Sequence, residues 1–142
     1  MNRPRVLFLC TGNSARSQMA EGILRARAGD RFEAFSAGLE PTAVHPLAIE
    51  AMAEIGIDIS GQRAKSVAEY LGKEHFGHLI TVCDRAAANC PTFPGVARRL
   101  HWSLADPAAA EGDHEARLAV FREVRDRLVA LIDEFVADHT SH

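Results

Sequence analysis

Residues 6–17 read Val-Leu-Phe-Leu-Cys-Thr-Gly-Asn-Ser-Ala-Arg-Ser. Four apolar residues in a row, without alternation, are the pattern of a strand buried on both faces of a parallel sheet. The small polar stretch behind them contains Gly12 and Asn13, the residue types that best tolerate left-handed backbone. Helical spacing then runs through Met19, Ala20, Ile23, Leu24 and Arg27 until Gly29 and Asp30 stop it. The order is strand, tight loop, helix. In an open α/β sheet that loop, at the carboxyl end of the strand, is where a ligand sits.

The rest of the chain repeats the alternation. Phe32 to Ala37 reads as a second strand closed by Gly38. Pro46 opens a helix that turns Leu47, Ile49, Met52, Ala53 and Ile55 inward and ends at Gly56. Ser66 caps a short helix over 67–73. His78 to Val82 is a third strand running into Cys83, and Val96 to Trp102 a weaker fourth. Between them, 84–95 is polar and broken by Pro91 and Pro94, long for a connection in a compact domain and therefore suspected of function. A final helix covers about 114–138, with Leu118, Phe121, Val124, Leu128, Leu131, Ile132 and Phe135 on one stripe. Strands alternating with helices predict an open parallel sheet with helices on both faces, in one domain spanning 1–142.

The 142 residues suffice for one real core, and 47% hydrophobic with 25% charged residues is ordinary for a globular protein. A net charge of -3 gives no nucleic-acid surface and no polybasic membrane patch. The N-terminal apolar run is too short for a signal peptide or a membrane span. A cytoplasmic enzyme is the expectation, and in that compartment three cysteines serve chemistry or packing rather than structural disulfides. Seven histidines form no metal pattern; His75-x-x-His78 lacks supporting ligands. His45 and His101 read as structural, and the arginines of the last helix, Arg122, Arg125 and Arg127, as a solvated face.

The loop of Cys10, Thr11, Gly12, Asn13, Ser14, Ala15, Arg16 and Ser17 suits an oxyanion held against a thiolate. Its N–H groups can converge on one point beside a helix N-terminus. Arg16 adds a planar fork for a tetrahedral anion. The same field favours the Cys10 thiolate, and Ser17 can bond to it. This Cys-x5-Arg pattern is the phosphate loop of cysteine-dependent phosphatases; the glycine-rich nucleotide motifs are absent from the sequence. Asp106-Pro107 follows the fourth strand at the same end of the sheet, where Asp106 can act as general acid.

Cys-Thr-Gly-Asn-Ser-Ala-Arg-Ser-Gln-Met-Ala-Glu at 10–21 resembles the low-molecular-weight tyrosine phosphatase superfamily, and more narrowly its thioredoxin-coupled arsenate reductases. The match continues through Ser36-Ala37-Gly38, Ala48 to Met52, Ile57 to Ser60, Thr81-Val82-Cys83, Asn89-Cys90-Pro91 and His101-Trp102 to Ala108. The resemblance implies a four-stranded parallel sheet in the order 2-1-3-4, with Cys10 the nucleophile, Arg16 the clamp and Asp106 the acid. One departure is informative. Tyrosine phosphatases of this type carry aromatic residues beside the Asp-Pro, whereas here Ala108, Ala109 and Ala110 follow. That suits a bare inorganic oxyanion.

The resemblance also implies a three-thiol relay. Reducing As(V) to As(III) takes two electrons, so a second thiol must attack the Cys10 sulfur of the arsenic adduct. If the first and third strands are neighbours, Cys10 and Cys83 end strands about 5 Å apart, within disulfide reach. Cys90 then resolves that bond. Seven helical residues span about 10.5 Å, so a helix over 84–90 would have to unwind to join Cys83 to Cys90. No bound cofactor or metal is expected; arsenate is the substrate and thioredoxin the electron donor. Asn13, Glu21 and Ser36 match positions that help hold potassium in some relatives, while the fourth acidic ligand aligns with Lys65. The expectation is that the Lys65 ammonium takes the cation's place and orients Asn13 through Glu21. Three rivals stand beside this reading: a low-molecular-weight phosphatase, a reductase fed by mycothiol or glutathione, and an oxyanion-binding or redox-sensing module.

Overall fold

A computed structural model describes residues 3–70, 75–88, 96 and 98–139. Its centre is a four-stranded sheet of β1 (Arg5–Cys10), β2 (Glu33–Gly38), β3 (His78–Thr81) and β4 (Arg98–His101), all parallel, in the order β2-β1-β3-β4. The helices are α1 (Arg16–Ala28), α2 (Pro46–Ala53), α3 (Asp84–Ala88) and α4 (His114–His139). The order implied by the family resemblance is the order found.

β1 explains the unalternating apolar run. It pairs with β2 on one side and β3 on the other, and Val6, Leu7, Phe8 and Leu9 have no exposed surface. Register places Cys10 opposite Gly38, and Leu9 opposite Thr81. Helices α1, α2 and α4 bury Met19, Ile23, Leu24, Leu47, Met52, Leu118, Phe121, Leu128 and Ile132 against the sheet core. The α4 stripe is as the sequence predicts, except that Leu131 is only half-buried and Val136 joins it. Beside β2, Phe35, Phe76 and Tyr70 meet edge to face with centroids 5.4–5.7 Å apart.

Several expectations need adjusting. Ser66 does cap, accepting from the Ala68 N–H, but the described part of 67–73 is one 3₁₀ turn, Val67–Glu69, and 71–74 lie outside the described residues. Part of the broken stretch after Cys83 is helical as α3. Asn89, Cys90, Pro91 and Pro94 lie outside the described residues. The strand over Val96 to Trp102 narrows to Arg98–His101. His45 caps α2, its Nδ1 accepting from the Leu47 N–H at 3.1 Å. His78 packs its ring edge-on against Phe135 and His139, and both its nitrogens are buried without a hydrogen-bond partner among the described residues. Among the described residues no three His, Cys, Asp or Glu side chains group as metal ligands, and no helix is long and apolar enough to cross a membrane.

The arginines of α4 are not a uniform solvated face. Arg125 is only 8% exposed and donates to the Ala51 carbonyl at 2.9 Å and to Glu54 at 2.8 Å. Arg122 reaches the same carboxylate at 2.6 Å. Charge-assisted bonds of this kind tie the end of α2 to the middle of α4. The Arg122 hydrogen bond, with Arg125 behind it, holds the Glu54 carboxyl down to about 2 from its ordinary 4.5. A depressed carboxyl contributes stability that is whole above its unfolded value and is lost as pH falls through its folded one. The thermal-midpoint gap between wild type and Glu54→Gln is therefore expected to be constant above about pH 5 and to close toward about pH 2. A gap that does not change with pH contradicts the assignment.

Candidate active site

The loop after β1 is built by its carbonyls. Those of Cys10, Thr11, Gly12 and Ser14 accept from the N–H groups of Leu39, Glu40, Thr42 and His45, at 2.8–3.2 Å. The Asn13 carbonyl accepts from Gln18 at 3.0 Å. Segment 39–45 thus runs along the outside of the loop and takes up four of the five carbonyls from 10 to 14, Gln18 taking the fifth. In a trans peptide the next N–H points the opposite way. The N–H groups of residues 11, 12, 13 and 15 are therefore turned away from that segment, as an anion nest requires. Asn13 makes the bend with a positive φ of 48°. Its N–H donates to Cys10 Sγ at 3.2 Å.

Gly38 lets this loop settle on the strand ends. A Cβ there would stand 2.7 Å from the Thr11 carbonyl oxygen and 2.8 Å from the Asn13 nitrogen. Both are backbone atoms and cannot swing aside. The sequence shows only a glycine closing a strand; the contact makes it part of the site.

Cys10 is 2% exposed, with Ser17 Oγ 2.8 Å from its sulfur. Arg16, at the start of α1, donates from Nη1 to the Leu104 carbonyl at 3.0 Å and lies 3.8 Å from Asp106 Oδ1. One guanidinium thus ties the loop to the segment after β4. Asp106 is half-exposed and caps a 3₁₀ turn, accepting from the Ala108 N–H at 3.0 Å. A cavity of about 240 Å³ opens between these groups, lined by Cys10, Thr11, Gly12, Ser14, Ala15, Arg16, Thr42, Asp106 and Ala108. Its volume suits a small anion, and Ala108 stands where an aromatic wall would narrow it. A larger cavity of about 420 Å³, between β4 and the end of α4, is lined among the described residues by no thiol and no residue of the 10–17 loop. Thr42 has no local sequence signal, because only the folded path of 39–45 brings it to the loop.

Cys83 is 3% exposed and, like Cys10, a free thiol. It follows β3, whose continuation pairs with β1 through a Val82 N–H bond to the Leu9 carbonyl at 3.0 Å. Thr11 Oγ1 lies 3.5 Å from the Cys83 sulfur, and the Ala86 N–H donates to it at 3.4 Å. The first turn of α3 is fastened from β4: Asp84 Oδ1 lies 2.8 Å from His101 Nε2 and accepts from Ser103 at 3.0 Å. The His101 hydrogen bond, then Ser103 and the charge of Arg16, lower the Asp84 carboxyl below its usual range. Cys90, the third thiol of the expected relay, lies outside the described residues.

Behind the loop, Lys65 is 8% exposed. Its ammonium donates to the Arg63 carbonyl at 2.9 Å, to Ser36 at 3.3 Å and to Glu21 at 3.4 Å. Burial pushes the Lys65 ammonium below its usual value, against the pull of Glu21. The route to Asn13 differs from the expectation. Asn13 Oδ1 accepts from the backbone N–H of Lys65 at 2.8 Å and from Gln18 at 2.9 Å, rather than being oriented through Glu21. Glu21 instead holds Ser36, Lys65 and Arg25.

Comparison with known proteins identifies the family. Residues 5–140 match the family described as low molecular weight phosphotyrosine protein phosphatase. An arsenate reductase of Halalkalibacterium halodurans is 47% identical over 136 residues, 95% of this chain and 96% of that protein. A solved arsenate reductase in the phosphate-binding state superposes with a TM-score of 0.82 at 32% identity, covering 95% of this chain and 98% of the other. A thioredoxin-dependent arsenate reductase of Corynebacterium glutamicum is 28% identical, with a TM-score of 0.67, over 96% of this chain and 64% of that one. The chain belongs to the low-molecular-weight phosphotyrosine protein phosphatase family. Within that family it stands with the arsenate reductases.

Proposed function

We propose that the protein reduces arsenate to arsenite through Cys10, Cys83 and Cys90, with thioredoxin restoring the thiols, as a step of arsenic detoxification in the cytoplasm. One observation carries the reading: two buried free thiols stand at the carboxyl ends of hydrogen-bonded neighbouring strands, one inside the anion loop and the other bonded to that loop's Thr11. A phosphatase needs only the first. The similarity to a thioredoxin-dependent arsenate reductase supports the choice of donor.

The inward N–H groups of the loop and the Arg16 fork bind arsenate. The Cys10 thiolate attacks arsenic, and Asp106 protonates the oxygen that leaves as water. The Cys83 thiolate then attacks Cys10 Sγ. The sulfur–arsenic bond breaks, its electron pair stays on arsenic, and arsenite leaves as the Cys10–Cys83 disulfide forms. Cys90 attacks Cys83 Sγ and releases the Cys10 thiolate. The thioredoxin dithiol reduces the resulting Cys83–Cys90 disulfide, so the two electrons come from thioredoxin.

Lys65 takes the place of a cation behind the loop. Its ammonium fills the space between Glu21, Ser36 and the Arg63 carbonyl. Activity is therefore expected to be the same in sodium and potassium salts at equal ionic strength, and clear potassium activation contradicts this role.

The reading is tested by arsenate-dependent NADPH consumption with thioredoxin and thioredoxin reductase. Wild type is expected to sustain consumption, while Cys10→Ser, Cys83→Ser and Cys90→Ser each lose it by more than about a hundredfold. Hydrolysis of an aryl phosphate by wild type, Cys83→Ser and Cys90→Ser alike, with no NADPH consumed, identifies a phosphatase instead. Turnover only with mycothiol or glutathione identifies a small-thiol reductase.

A further inference from the structure

A line of hydrogen bonds runs from the protein surface to the Cys10 sulfur. Arg25 Nη1 donates to Gln62 Oε1 at 3.2 Å, and Gln62 Nε2 donates to Gln18 Oε1 at 2.7 Å. Gln18 Nε2 donates to Asn13 Oδ1 at 2.9 Å, and Asn13 Nδ2 donates to Ser17 Oγ at 2.8 Å. Ser17 Oγ lies 2.8 Å from Cys10 Sγ. Gln18, Asn13 and Ser17 have no exposed surface, while Arg25 is half-exposed.

Each amide in this line has only one workable orientation. A guanidinium has no acceptor, so Gln62 must turn its oxygen to Arg25. Gln18 faces the carbonyls of Asn13 and Arg63 at 3.0 and 2.8 Å, and carbonyls only accept, so its nitrogen is on that side. Asn13 meets the Lys65 backbone N–H, which only donates, so its oxygen is there and its nitrogen faces Ser17. Ser17 already accepts from Asn13. Its own proton is then free to point at the sulfur. All five bonds run the same way, with a guanidinium that also pairs with Glu21 at one end and the sulfur at the other.

We propose that Gln18 is a positioning residue for the Cys10 thiolate, acting through Asn13 and Ser17, with Gln62 and Arg25 as the outer part of the same relay. Bonds aligned in one sense polarise one another, and a donor aimed at sulfur favours its anionic form. Replacing Gln18 removes the group that fixes the Asn13 amide, and the Ser17 proton loses its required direction. The proposal rests on Cys10 being the reacting thiol, but its test needs neither arsenate nor thioredoxin.

The test is iodoacetamide alkylation of Cys10 as a function of pH, in the full chain carrying Cys83→Ser and Cys90→Ser. Gln18→Met is expected to shift the profile to higher pH and to slow alkylation near neutral pH about tenfold. Gln62→Met, at the half-buried outer end, is expected to slow it about threefold, and it carries the test if Gln18→Met fails to fold. Ser17→Ala combined with Gln18→Met is expected to shift the profile no further than Ser17→Ala alone, because the glutamine acts through that serine. A lowered thermal midpoint with an unmoved profile reduces Gln18 to a packing role and overturns the proposal, as does full additivity of the double variant. If the relay holds while arsenate turnover is absent, only the arsenate reading falls. If turnover is present and the profiles coincide, only the relay falls.

Discussion

The pairing of β1 between β2 and β3 is the constraint on which everything else depends. It buries both faces of Val6 to Leu9 and brings the carboxyl ends of three parallel strands to one edge of the sheet. The loop leaving β1 is fixed on its β2 side by the backbone of 39–45 and by Gly38, which leaves no room for a side chain. On its β3 side it meets Cys83 through Thr11. The anion nest and the second thiol are therefore consequences of strand order. Had β3 been separated from β1 by another strand, Thr11 could not have reached the Cys83 sulfur.

The two halves of the site are held differently. The loop of Cys10 is locked by backbone bonds on its outer side and by the buried side chains of Gln18, Asn13 and Ser17 within. The turn that carries Cys83 buries Ala86 and is fastened from the β4 side by exposed side chains, Asp84 with His101 and Ser103. Backbone ladders in a core open only at large free-energy cost, whereas exposed side-chain bonds are individually weak. The division matches the chemistry proposed. A nest for a tetrahedral anion works when it does not move, and a thiol that passes its oxidation onward works when its segment can be released.

What the sequence made legible is what local pattern encodes. An unbroken apolar run gave β1, glycine and asparagine behind it gave the loop, and a helical stripe gave α4. Cys10, Arg16, Ser17 and Asp106 came together as their motif and strand-end positions require. What stayed hidden depends on contacts between distant residues. Arg125 sits among acids and arginines along α4, and only the docking of α2 turns it inward onto Ala51. Gln18 looks like any polar residue in a first helical turn until Arg63 and Gln62, some forty-five positions on, close over it. Lys65 reaches Asn13 by its backbone rather than by its charge, a link no side-chain pattern reveals. The short helix α3 lacked enough residues to show a period.

The central claim is that Cys83 attacks the Cys10 sulfur and so drives two electrons onto arsenic, and one turnover suffices to test it. The Cys90→Ser protein, fully reduced and then mixed with arsenate in the absence of thioredoxin, is to be assayed for arsenite released and for its cross-link by peptide mass spectrometry. The account predicts about one arsenite per protein molecule, together with a Cys10–Cys83 disulfide in the same amount. Arsenite without that disulfide, or repeated turnover by this variant once thioredoxin is added, would contradict it.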